Sequence, residues 1–155
     1  MLERLKRLVG IKPRKEISHP TFGKLLYFEL KDPGKSYWEG EAHVEGHPEP
    51  VSLAIVAGES GPTASQEEFF RLVASDFSSV IFRCSAILKA DYEQWRNKPF
   101  PTEFLQEFRW VGLTIPRDGN DSNPWDISFD CASDIEHQFT VYFENGQAAA
   151  GSIDG

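Results

Sequence analysis

Residues 65–95, SQEEFFRLVASDFSSVIFRCSAILKADYEQW, decide the fold class of this chain. Phe69, Val73, Phe77, Val80, Cys84, Leu88, Tyr92 and Trp95 recur every three or four residues, the spacing of one buried helical face. An unbroken helix of that length would run about 46 Å at 1.5 Å per residue, so a break is expected near Asp76–Ser79, where cap-forming residues cluster. At its start Thr63 or Ser65 is placed to cap, and Ser65 with Glu68 has capping-box spacing.

The period changes on both sides of this helix. Upstream, Lys24–Leu30 is apolar and aromatic, and Asp32-Pro33-Gly34 closes it as a turn. Trp38, Gly40, Ala42 and Val44 then alternate with Glu39, Glu41, His43 and Glu45. Val51, Leu53, Ile55 and Ala57 repeat the period of two after the turn His47-Pro48-Glu49-Pro50. Downstream, Asn97–Pro101 reads as a loop and Phe108–Ile115 as a strand. Trp125, Ile127, Phe129 and Cys131 alternate with Asp126, Ser128 and Asp130, and His137, Phe139, Val141 and Phe143 with Gln138, Thr140 and Tyr142. Asn145-Gly146 is a two-residue hairpin signal, followed by a weak last strand, Gln147–Ile153. The pattern predicts an α+β fold, antiparallel strands in the order βββ-α-βββ, with the long helix across one face of the sheet.

The 155 residues fit one domain with a packed aromatic core. Charge divides it unevenly. Residues 1–16 carry Arg4, Lys6, Arg7, Lys12, Arg14 and Lys15 against Glu3 and Glu16, a local charge of +4 within a chain of net −8. Residues 2–9 read as a short helix with Leu2, Leu5, Leu8 and Val9 on one side, stopped by Gly10 and Pro13. The expected organisation is a separable basic arm, 1–16, and a single domain, 17–155. An arm of this kind suits docking on the acidic body, on a partner, or weakly on an anionic membrane surface through residues 1–15. The acidic body repels phosphate backbones, which argues against nucleic acid and for a basic protein partner. No run of about 20 apolar residues and no signal peptide is present, so a cytoplasmic location is expected.

Candidate chemistry is thin. Gly58-Glu59-Ser60-Gly61-Pro62 is similar to a serine-protease nucleophile loop, but Ser60 needs a positioned histidine and carboxylate, which His19, His43 and His47 do not locally supply. His43 and His47 with Glu45 and Glu49 suggest metal ligands, yet His47 falls in a Pro-bounded turn, and two surface histidines beside acids explain them as well. Asp134, Glu136 and His137 have acid–base types, although His137 shares parity with Phe139 and Val141 and would then edge the core. Cys84 and Cys131 lie in apolar segments without CxxC spacing and read as buried thiols, with a disulfide left open. No phosphate-loop, dinucleotide or HExxH motif occurs, so no cofactor and no metal are expected.

Two stretches together carry a resemblance. One runs from Ile17-Ser18-His19-Pro20 through Phe22-Gly23-Lys24-Leu25 to Trp38-Glu39-Gly40. The other is Trp125-Asp126-Ile127-Ser128-Phe129, then His137 through Gly146, ending Ile153-Asp154-Gly155. They resemble uncharacterised bacterial domain families of small cytoplasmic proteins, some of which look like immunity proteins of polymorphic toxin systems. The resemblance implies an immunity-type inhibitor of a basic toxin and carries over no catalytic residue. Strand parity separately nominates Glu39, Glu41, His43, Glu45, Asp126 and Asp130 as polar rows facing away from the core. The competing class is a small hydrolase or other enzyme using His137 or His43 with neighbouring carboxylates.

Overall fold

The computed structural model describes residues 12–155. The helix expected at residues 2–9 lies outside them. Eight strands form one sheet in chain order: β1 Lys15–His19, β2 Gly23–Phe28, β3 Tyr37–Ala42, β4 Val51–Val56, β5 Phe108–Ile115, β6 Trp125–Cys131, β7 Asp134–Glu144 and β8 Gln147–Asp154. Between β4 and β5 stand α1 Ala64–Ser75, α2 Phe77–Arg96 and the single turn α3 Phe104–Glu107.

This corrects the expected order. Four strands precede the helices and four follow, and they form one mixed sheet, because β4 and β5 run parallel while every other neighbouring pair is antiparallel. The parallel pair follows from the connection: a helical crossover carries the chain back to the end at which β4 began, which a short hairpin cannot do. The order gains one strand on each side, the weak last strand β8 and the unannounced β1. In β1 the pairing of Lys15 with Tyr27 and Glu16 with Leu26 brings two residues of the expected arm into the sheet.

The helical stripe is inward-facing from Phe69 to Tyr92, whereas its last expected member, Trp95, is half exposed. Val80, Cys84, Leu88 and Tyr92 are buried against the inward rows of the sheet. The helix is broken at Asp76, whose φ of −120° and ψ of 45° are non-helical. The cap is Thr63, not Ser65: the Thr63 side chain accepts from the Gln66 amide and the Gln66 side chain accepts from the Thr63 amide. At the far end of the sheet Asn145 and Gly146 both adopt positive φ, 51° and 77°, as the β7–β8 hairpin demands. Beside that turn Arg83 donates to the Gly146 carbonyl (2.7 Å) and to Asp121 (3.0 Å). Its guanidinium lies 4.8 Å from the ring centre of Phe143, which stacks on Trp125.

The helices of the described residues cover one face only. Among the described residues no helix is long and apolar enough to cross a membrane.

Candidate functional site

The strand registers place residues on the helix-free face in lines that cross the sheet. One line runs Leu26, Glu39, Ala54, Thr114, Asp126, Tyr142 and Ala150, from β2 to β8. The next runs Glu41, Ser52, Gly112, Ser128, Thr140 and Ser152, from β3 to β8. Between them the face is hollowed into a groove of about 380 Å³ whose lining includes Leu30, Tyr37, Glu39, Ala54, Gly112, Thr114, Asp126, Ser128 and Gln138. At its β2–β3 end is a small buried apolar cluster, where Phe28 stacks on Tyr37 at 5.3 Å with Leu26 and Leu30 beside them.

Asp126 is the electrostatic centre of this groove. Burial pushes its carboxyl above the usual carboxylate range, and a hydrogen bond from the Thr114 side chain pulls partly against that. The buried hydroxyls of Ser128 and Thr140 satisfy each other at 2.8 Å. Three inter-strand steps separate Glu39 from Asp126, about 14 Å between their Cα atoms. Carboxylates that cleave glycosidic bonds as a pair stand about 5–9.5 Å apart. Glu39 and Asp126 therefore do not form such a pair.

Substituting asparagine at Asp126 keeps an acceptor for Thr114 and removes the desolvated charge. The folded-state pKa is raised, so the ionised carboxylate costs stability at neutral pH, and the cost disappears as pH falls through that pKa. We expect Asp126→Asn to melt about 2–4 °C higher at neutral pH, the response of a domain this size to about 1 kcal/mol. The difference should close in acid; melting curves across the acid-to-neutral range that stay superimposed would contradict it.

The remaining nominated residues scatter. Glu41 is exposed on β3 within the open face. The strand ends at Ala42, so His43 and Glu45 leave its parity and line a different hollow, with Thr21, Phe70 and Arg71 on the helical side. Asp130 keeps its place on the open face, but Arg109 Nη2 donates to it at 3.0 Å and offsets its charge. Of the nominated six, Glu39, Glu41, Asp126 and Asp130 share the open face, and His43 and Glu45 do not.

The metal-like set is dispersed as well. His47 turns away from His43 and stands edge-on to Phe77 (4.7 Å) and Trp110 (5.2 Å), where burial pushes its pKa down. Glu49 lies 4.0 Å from Arg109. Ser60 sits in an exposed turn with no hydrogen-bonded histidine or carboxylate among the described residues, and His19 Nδ1 instead accepts from the amides of Thr21 and Phe22.

Asp134 and His137 do meet, at 2.7 Å through Nδ1. Asp134 also accepts from Trp95 Nε1 at 3.0 Å and lies 3.7 Å from Arg96. The hydrogen bonds from His137 and Trp95 hold its carboxyl below the usual range. The group clasps the end of α2 to the start of β7. The nearby nucleophile types are engaged elsewhere: Cys131 and Ser133 both donate to Glu107, and burial pushes the Cys131 thiol up, away from thiolate. Cys84 is likewise a buried free thiol, pushed up to about 12 by burial. Glu136 is exposed beyond the clasp.

Residues the sequence did not nominate, Tyr37, Thr114 and Gln138 above all, complete the groove. The strand pairing sets Thr114 opposite Asp126 and Gln138 opposite Asp130, while Tyr37 stands two residues before Glu39 on β3. Compared with protein-family models, with curated proteins and with solved structures, the chain matches none.

Proposed function

We propose that this chain is a binding protein that captures a basic protein partner on the open face of its sheet, in the manner of an immunity-type inhibitor. The observation that carries the reading is the half-buried, desolvated carboxylate of Asp126 in a groove that also presents Glu39. A lysine or arginine side chain entering the groove would restore the solvation that Asp126 has lost. It would form a charge-assisted hydrogen bond of the kind that carries interface energy. The net charge of −8 adds long-range attraction for such a partner. The hydrolase reading has less behind it: His137 has its orienting carboxylate, but the neighbouring thiol and hydroxyl are occupied by Glu107.

The test uses the native protein as bait to isolate the partner, then measures association with two variants. Asp126→Asn with Glu41→Lys alters the groove and its flank. Glu59→Lys with Glu136→Lys makes a comparable charge change at exposed acids elsewhere. The first pair should slow association about tenfold or more at low salt, and the effect should shrink as salt screens it. Because Asp126→Asn is expected to raise thermal stability, lost capture cannot be ascribed to unfolding. Equal association rates for both pairs would remove the groove from the function.

A further inference from the structure

We propose that β8 is an interface strand: two copies of this chain pair their β8 edges antiparallel about a two-fold axis, joining two eight-stranded sheets into one continuous sheet. The pairing is independent of what the groove binds, and its test begins with the protein alone.

The contrast between the two edges of the sheet carries this inference. β1 and β8 are both terminal, so each turns a row of backbone N–H and C=O groups outward. β1 is short and blunted by charge: Lys15 and Glu16 lead it, and Lys24 of β2 pairs with Glu16. β8 runs from Gln147 to Asp154 without a lysine, arginine or proline, and its only charge is Asp154 at the end. Its one irregularity, opposite Tyr142 and Phe143, lies toward the hairpin turn, and residues 150–154 keep unbroken register with 138–142. Among the described residues nothing pairs with its outer side. A row of donors and acceptors facing water is a template for another strand. A chain of net charge −8 meets its own copy most easily where charge is sparse, and this edge is such a place.

The symmetry fixes the rest. Antiparallel pairing within one sheet needs the two-fold axis perpendicular to it, so both sets of helices fall on one face and both grooves on the other. An axis near Gly151 keeps the two Asp154 residues about 20 Å apart along the strands. α2 passes over that point: a Cβ on Gly151 would lie 2.2 Å from Asp91 Oδ2 and 2.6 Å from Ile87 Cγ2. Next round the helix from Ile87, away from the buried stripe, come Ala86 and Ala90, both exposed and uncharged. They bring the helix layer into the contact. A strand about 27 Å long under a helix makes an edge about 20 Å deep. Pairing would bury about 1,100 Å² in total, above the roughly 1,000 Å² that a specific interface needs.

Sedimentation equilibrium of the full chain across the micromolar range tests this. The native chain should be a dimer that dissociates on dilution. Ala150→Lys charges the strand edge, and Ala90→Glu charges the helix flank without touching the strand. Each should weaken dimerisation about tenfold or more, since like charges then meet across the axis. Glu59→Lys, at an exposed acid away from the edge, should leave it unchanged. Both alanines are exposed, so melting curves close to the native one will separate lost pairing from unfolding. Amide hydrogen exchange gives the position: β8 amides should slow as the dimer forms, and β1 amides should not. A monomer at every concentration would overturn the proposal. So would a dimer that neither substitution weakens, or one that forms without slowing exchange in β8. β8 amides that slow only when a basic protein partner is bound would also overturn it, because the edge would then serve that partner and not a second copy.

Discussion

Replacing Gln66 with leucine should cost about 3–5 kcal/mol and lower the melting temperature by roughly 10 °C or more, although the change conserves bulk and lies far from the groove opening. Gln66 is completely buried. Its Nε2 donates to the carbonyls of Val56 (2.8 Å), the last residue of β4, and Pro116 (3.0 Å), the residue after β5, and its Oε1 accepts from the Thr63 amide (3.0 Å). One side chain thus ties together the start of α1 and both strands that the helical crossover separates. Leucine leaves those groups buried without partners, each at about 1–3 kcal/mol. The site has no room to relax, because Gly119 packs so closely that a Cβ there would lie 2.2 Å from the Ser65 carbonyl oxygen. Gln66→Glu separates hydrogen bonding from volume. Ionised, it presents oxygen to two carbonyls and should destabilise strongly at neutral pH. Its folded-state pKa would be raised by burial, so stability should return as acid protonates it and restores one donor. Denaturant titrations of both variants at neutral and acidic pH check this, and a cost below about 1 kcal/mol for Gln66→Leu would refute the tie. Ala54 of β4 and Thr114 of β5 line the groove, so loosening this pair should weaken capture as well.

The same region shows where sequence reasoning succeeds and where it stops. Helical periodicity survives burial, so the stripe from Phe69 to Tyr92 and the break at Asp76 are readable one residue at a time. Strand order is not. Lys15–His19 has a single aliphatic side chain, Ile17, and a charged edge strand of that kind has no apolar alternation to announce it. In β5 the buried residues run Phe108, Trp110, Leu113, Ile115, and the odd step from 110 to 113 is a register shift against β6 that inverts parity within one strand. Thr114 reaches the groove by that inversion. Glu39 and Asp126 were legible because both lie in regular stretches of alternation, and parity alone puts them on one face. His43 and Glu45 follow the same alternation in sequence, but β3 stops at Ala42 and Gly46 turns the chain at a φ of +84°, so the parity argument expires one residue too early for them. Asp130 is a different case. Its face was readable, whereas its neutralisation by Arg109 depends on a partner 21 residues away that only the β5–β6 register brings opposite. The two capping boxes, Ser65 with Glu68 and Thr63 with Gln66, are offset by two residues; what selects between them is the burial of Gln66, a tertiary fact.

Trp110→Ala should remove about 3–5 kcal/mol, with a pH dependence that identifies the cause. Trp110 is fully buried in β5, stacks on Phe77 at 5.1 Å, meets the edge of His47 at 5.2 Å and donates Nε1–H to the Gly112 carbonyl at 3.0 Å. Phe77 is the first residue of α2, immediately after the non-helical Asp76, so the indole is the surface on which the helix break rests. Truncation therefore opens a cavity and releases the kink together. Trp110→Phe keeps a ring against Phe77 and loses mainly the indole hydrogen bond, so about 1 kcal/mol is expected. His47 supplies the second signature. Burial lowers its pKa in the fold, so below the ordinary histidine value the unfolded chain takes up a proton more readily, and native stability declines as pH falls toward the lowered pKa. In Trp110→Ala water reaches the imidazole, the depression lessens, and that acid loss is smaller. The gap between wild type and variant should thus be widest above the histidine range and narrow below it. A gap that is constant with pH would mean that His47 owes its shift to other neighbours. A gap under about 1 kcal/mol would mean that the helix break is held without Trp110.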